Sequence, residues 1–313
     1  MATPRHVLTM DSEFDGPRLR ALVDLALDVK ARPEAYEDRL HRRGLLLLME
    51  KTSTRTTLAF SAAAAQLGGY ATRLDWRDSN FSISPLAYEA RYVSSNADVI
   101  MARLRTFEAV SELAAASSAP VINGCCNRYH PSQALADLLT VREVHGELDG
   151  ARVTYVGVAN NVSNSLVAAG TRVGVTVGLV TPLENPPAKD EALVARAEAT
   201  GLLRRYATVQ EAAPESDFVY TDTWVDMEFF TDPAYAEERD RRIATMSPFQ
   251  LSEEHLAGAT PWVMHDMPIH PGYEIDEALV DSERSVVFRQ AGNRLHAAKA
   301  LLLWTLHGDD VLA

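Results

Sequence analysis

The chain has 313 residues, 47% of them hydrophobic, and 43 acidic against 30 basic side chains give it a formal net charge of -13. That length suffices for two α/β domains or one large one, and the acidity argues against a nucleic-acid groove, so any bound anion needs a local basic pocket working against the overall field. No run is long and apolar enough to span a bilayer and residues 1–30 lack the apolar core of a signal peptide; the two cysteines, Cys125 and Cys126, are adjacent and lack metal-site spacing, so the reading is a cytoplasmic protein of a reducing compartment.

Residues 1–43 read as charged and mostly helical, with Leu19, Leu22, Val23, Leu25, Ala26 and Val29 near helical spacing, a covering helix. Leu45–Leu48 then forms an uninterrupted apolar run, the pattern of a strand buried on both faces of a parallel sheet. Ser53 is a suitable N-cap, and the Ala-rich run to Leu67, closed by Gly68 and Gly69, predicts a helix with its stop signal. A short strand near Ala71–Leu74, an irregular segment Asp75–Pro85, a helix to about Ser94, a strand Asp98–Ala102, a helix Phe107–Ala116 and a strand Pro120–Asn123 follow. Pro131 opens a helix to Val144, which closes a first domain, 1–146. The second, 147–313, repeats the alternation. Strands are expected at Arg152–Val156, Thr176–Thr181, Asp217–Thr221, Trp262–His265 and Ser285–Phe288, with helices at Val162–Arg172, Glu191–Ala199 and Ala291–Leu306. Such alternation gives two doubly wound parallel-sheet domains, with a ligand site at strand C-terminal ends in the cleft between them.

The strand ends carry the polar residues. Ser53, Thr54, Arg55 and Thr56 gather hydroxyls and a guanidinium at a helix N-terminus, where unpaired N–H groups and a partial positive charge favour an anion, although Ser and Thr are also ordinary capping residues. Arg103 is a second candidate anion ligand. His130 and Gln133, three residues apart at a helix start, can face one site. Asn160 and Asn161 follow another strand and equally fit plain helix capping; Asp222–Met227 and His265–Pro268 follow two more.

Taken in order, these segments resemble the aspartate and ornithine carbamoyltransferases, the ornithine branch above all. The matching motifs are STRT at Ser53–Thr56, an Arg at Arg103, HPSQALAD at His130–Asp137, NNV at Asn160–Val162, DTWVDM at Asp222–Met227, HDMP at His265–Pro268 and NRLH at Asn293–His296. The resemblance implies a donor domain followed by an acceptor domain, with a C-terminal helix returning to the first. It implies that the STRT turn and Arg103 hold the phosphate of carbamoyl phosphate. Thr56, Arg103, His130, Gln133 and Arg294, with the Met267 carbonyl, would surround the carbamoyl group, and Asn161, Asp222, Asp226 and Met227 would bind the acceptor. It further implies a cis Met267–Pro268 bond, no metal or cofactor, and a homotrimer or assembly of trimers in which Asp75–Pro85 is lent to a neighbour.

The departures matter as much. Ornithine enzymes typically carry HCLP where this chain has Asp266 and Met267, and DxWxSMG where it has Asp226 and Glu228; the Asp of their GDxNN is Val158, and the Asp75–Pro85 loop is short. Two added carboxylates repel a bare α-carboxylate and favour an acceptor with an extra cation or hydroxyl. The expected function is carbamoyl transfer to an ornithine-like or other amine, with Asp266 a candidate catalytic group. An anion-binding pseudoenzyme that lost acceptor chemistry is the alternative. A nucleotide-dependent dehydrogenase fits the alternation but not Gly157–Val162, which lacks GxGxxG.

Overall fold

The computed structural model describes residues 4–225 and 232–312. It comprises two compact units, Met1–Leu139 with Gly292–Ala313, and Thr140–Ala291. In the first, four parallel strands run in the order β2-β1-β3-β4: β1 is Gly44–Met49, β2 Tyr70–Asp75, β3 Val99–Arg103 and β4 Val121–Asn123. All six residues of β1 are buried, as expected of an inner strand covered on both faces. Helix α1 (Gly16–Ala31) is capped by Asp15, which accepts from Arg18 N, and buries all six apolar positions singled out by their spacing. Helix α2 (Thr54–Gln66) ends where Gly68 turns the chain at φ 84°, a conformation that a side chain there would strain. The segment Asp75–Pro85 forms two single 3-10 turns, Trp76–Asp78 and Asn80–Ser82, before helix α3 (Leu86–Ser94). Helix α4 covers Phe107–Ala116 as predicted.

The second unit has five parallel strands in the order β7-β6-β5-β8-β9, with β5 Arg152–Ala159, β6 Thr176–Glu184, β7 Leu203–Arg205, β8 Phe218–Thr221 and β9 Trp262–His265. Both β5 and β6 run past their expected ends, across a register shift between Val156 and Val158. Helix α6 (Asn161–Gly170) gives way to a 3-10 turn, Thr171–Val173, before reaching the expected end; α7 (Glu191–Ala199) matches its expected span. The strand expected at Ser285–Phe288 is not formed. Ser285 makes a single bridge to Val263, and Val287 already begins the last helix, Val287–His307, because Val286 N is taken by the carbonyl of Val263. The three-residue edge strand β7 and the helix Ala236–Met246 were not anticipated.

The passage from the first unit to the second falls inside helix α5 (Pro131–His145), and from Gly292 onward the last helix belongs to the first unit. Among the described residues no helix is long and apolar enough to cross a membrane.

Candidate active site

In the first unit three strand ends and the last helix supply the residues. After β1 the chain turns at Ser53, whose hydroxyl accepts from Thr56 N at 3.2 Å and lies 3.0 Å from Thr56 Oγ1. The first turn of α2, with its N–H groups and positive dipole end, therefore opens beside the exposed Thr54 and half-buried Arg55. β3 ends at Arg103, whose carbonyl accepts from Glu50 N at 3.0 Å. The Arg103 Nη1 contact to the Gly124 carbonyl is long, 3.5 Å, and its buried Nε has no hydrogen-bond partner among the described residues.

Helix α5 starts at Pro131, whose missing N–H costs nothing at a first helical position. The preceding His130 is 3% exposed. Arg294, 5% exposed, donates from Nη2 to Thr56 Oγ1 at 2.9 Å and stands 3.3 Å from His130 Nε2. A guanidinium can only donate, so Nε2 is the accepting nitrogen and the proton sits on Nδ1, 3.4 Å from Ser132 Oγ. Burial pushes the His130 imidazole well below its ordinary value of 6.5, and the cations of Arg294, Arg103, Lys51 and Arg55 push it further. Gln133 is fixed by donating from Nε2 to Asp137 Oδ1 at 2.8 Å. Its Oε1 is left as a buried acceptor without a hydrogen-bond partner among the described residues.

This is a basic pocket holding an uncharged imidazole, hydroxyls and one amide acceptor. Its chemistry suits a phosphate joined to a small amide: cations and helix N–H groups for the anion, donors for a carbonyl oxygen, Gln133 Oε1 for an N–H.

Two expected results follow here. At a hundredfold excess over its dissociation constant, inorganic phosphate should stabilise the fold by about 2.7 kcal/mol, and Arg55→Ala should remove most of the resulting rise in melting temperature; an undiminished rise would put the anion elsewhere. His130 should also make stability pH-dependent. Because the unfolded chain takes up the proton and the folded one does not, its contribution is full above pH 6.5 and is lost as pH falls from there, with a limiting slope of about 1.4 kcal/mol per pH unit. Thermal unfolding between pH 5 and 7 should therefore show a shallower slope in His130→Gln, and equal slopes would refute the assignment.

In the second unit, Asn160 caps α6 by accepting from Val162 N at 2.9 Å and Ser163 N at 3.1 Å, and donates to Asp222 Oδ2 at 2.8 Å. Asp222 Oδ1 accepts from Thr223 N at 2.8 Å. Asn160 is thus a cap and a brace for Asp222 together, while Asn161 is the first residue of α6 and half-buried. Asp226 and Met227 lie outside the described residues. Val158 packs with Trp224, Val225 and Met246 in an apolar cluster, so the end of β5 is apolar at this position. Asp266 opens the turn after β9, its N–H on the carbonyl of Thr221 at 3.3 Å, and is half-buried. Met267 follows with φ 63°, and the Met267–Pro268 bond is cis, as the motif implied.

Two residues that no sequence pattern marked complete this turn. His265 Nε2 is 3.1 Å from Glu274 Oε1, and His265 N donates to Gln290 Oε1 at 2.9 Å. Glu274 stands nine residues past His265 in a loop, where neither helical nor strand periodicity pairs residues.

Residues 5–143 match the family described as aspartate/ornithine carbamoyltransferase, carbamoyl-P binding domain. Residues 149–305 match its Asp/Orn binding domain. An ornithine carbamoyltransferase of Parafrankia sp. (strain EAN1pec) is 38% identical over 315 residues, covering 97% of this chain and 96% of the relative. The solved ornithine carbamoyltransferase of Pyrococcus furiosus superposes with a TM-score of 0.87 at 33% identity, covering 96% of each chain. That of Thermus thermophilus gives 0.85 at 35% identity, covering 97% of this chain and all of the other.

Proposed function

The chain belongs to the aspartate/ornithine carbamoyltransferase family and is a carbamoyltransferase, and from that premise we propose that it moves the carbamoyl group of carbamoyl phosphate to the side-chain amine of ornithine or an ornithine-like acceptor, releasing phosphate. The observation that carries this reading is the Arg294–Thr56–His130 cluster at the N-terminus of α2, with Thr56 and His130 inside the segment that matches the carbamoyl-P binding domain and Arg294 brought to them by the last helix.

The roles follow from charge flow. Ser53, Thr54, Arg55 and Arg103 hold the phosphate, whose leaving-group charge they neutralise. Attack of a neutral amine on the carbamoyl carbon builds negative charge on the carbamoyl oxygen. Arg294, the Thr56 hydroxyl and His130 are donors for that oxygen, His130 through its Nδ1–H or after a change of tautomer when substrate displaces the Arg294 contact. Gln133 Oε1 accepts from the carbamoyl NH2. Acceptor selection rests on the second unit, with Asn161, Asp222, Asp226, Met227 and Asp266 as its groups. A homotrimer is the proposed assembly, supported by the exposed apolar side chains of Leu58, Tyr70, Ile83, Tyr88 and Tyr92 in the first unit.

The test is incubation with carbamoyl phosphate and a panel of ornithine, modified ornithines and diamines, with phosphate release and ureido product measured together. Matched stoichiometry with one acceptor is the expected result. Absence of a ureido product with every acceptor, while phosphate still stabilises the fold, would leave an anion-binding protein without transferase activity.

A further inference from the structure

We propose that Glu274 is a positioning residue that fixes the tautomer of His265 and thereby holds the Asp266–Met267–Pro268 turn in shape for the acceptor step. The inference rests on the reading that this turn serves that step. Glu274 is fully buried and His265 is 1% exposed. Glu274 Oε1 lies 3.1 Å from His265 Nε2 and accepts from His270 N at 2.5 Å, so one oxygen ties the end of β9 to the backbone just past the Asp266–Met267–Pro268 turn.

The hydrogen-bond sense is settled on the other side of the ring. Met267 N lies 2.7 Å from His265 Nδ1. A backbone N–H can only donate, so Nδ1 carries no proton and the imidazole proton is on Nε2, directed at Glu274. With the proton on Nδ1 instead, two donors would face each other at 2.7 Å and the Met267 contact would be lost.

That contact bears on Met267 in particular. Its φ of 63° is a left-handed backbone, which is strained for a non-glycine residue and persists where the surroundings impose it. The His265 Nδ1 bond imposes it from one side, and the hydrogen bonds of His265 N to Gln290 and of Asp266 N to Thr221 fix the residues before it. Glu274 acts on the Met267 carbonyl only through this chain of contacts. It is therefore distinct from a proton relay, in which His265 Nδ1 would have to be open to the side chain at position 266.

The two roles separate in the variants. Glu274→Gln keeps an oxygen able to accept from both His265 Nε2 and His270 N, so a positioning role predicts near wild-type kcat, whereas a relay predicts collapse. Glu274→Met fills the volume but removes the acceptor, and should lower kcat about 10²-fold, the scale of an ångström-sized misplacement. KM for carbamoyl phosphate, whose phosphate is held by first-unit residues, should change far less than kcat. The direct readout is 15N NMR of histidine-labelled enzyme, with the His265 signals assigned by their loss in His265→Asn. Wild type and Glu274→Gln should show a protonated Nε2 and an unprotonated Nδ1, and Glu274→Met a tautomer mixture. A protonated Nδ1 in the wild type, loss of activity in Glu274→Gln with the tautomer intact, or full kcat in Glu274→Met would each overturn the proposal. The wild-type spectrum decides even if Glu274→Met does not fold, and it is independent of whether the panel yields a product.

Discussion

Arg294→Ala should lower kcat/KM by 10²–10³-fold, corresponding to the ~2.7–4 kcal/mol that loss of one donor to a developing oxyanion removes. The structure gives two reasons for an effect of this size. Arg294 is almost fully buried, so its charge acts in a site from which water is largely excluded. The same Nη2 also organises the hydroxyl of Thr56 and the imidazole of His130, so truncation strands two further groups that were aimed by it. Arg294→Lys should recover little, because an ammonium on a flexible stem does not reproduce the planar donor geometry. Steady-state kinetics with saturating acceptor, alongside circular dichroism to establish folding, measures this. A loss of less than tenfold in a folded Arg294→Ala protein would exclude Arg294 from transition-state stabilisation.

Asp266→Cys should shift acceptor preference toward ornithine by on the order of 10²-fold, since a like charge placed against a substrate carboxylate costs several kcal/mol. The wild type should correspondingly favour an acceptor with a second cation or a hydroxyl over one with a free α-carboxylate. The attacking amine must be neutral, although a free alkyl amine titrates near ~10.4. A carboxylate on the turn after β9 can take that proton or pair with a second ammonium of the acceptor. Asp226→Ser should move preference in the same direction. The relatives are named for ornithine, which makes ornithine the control substrate. If the wild type uses ornithine with ordinary efficiency, the specificity argument fails whatever the variants do.

Local signals were enough for most of the elements. β1 is legible because a strand covered on both faces has no polar position, and α2 because Ser53 and Gly68 punctuate it. α4, α7 and β9 coincide with their expected spans because each is bounded by a cap or a turn. Where sequence reading failed, tertiary pairing decided. β7 is three residues long with two of them exposed arginines, and exists because Leu203–Arg205 pairs with β6. Val286 and Val287 look like a strand, yet one bridge to β9 is all the sheet takes before the last helix begins.

The first-unit site was legible through motifs rather than periodicity. Arg294 and Thr56 are 238 residues apart and Arg294 and His130 164 apart, so nothing local links them; resemblance does. Glu274 and Gln290 lay beyond either route, being neither in a quoted motif nor at a spacing that pairs side chains.

The interrupted make-up of the first unit bears on how the protein is synthesised. Ribosomal synthesis normally lets an N-terminal domain fold before the next is made. Here residues Thr140–Ala291 form a contiguous unit, whereas Met1–Leu139 is completed by Gly292–Ala313, which carries Arg294. The later-made half can therefore close first, while the earlier half waits on the order of 10–30 s for its missing helix at ordinary elongation rates. During that interval the apolar faces that the last helix covers, through residues such as Ala298, Leu301 and Leu302, are open to nascent-chain chaperones.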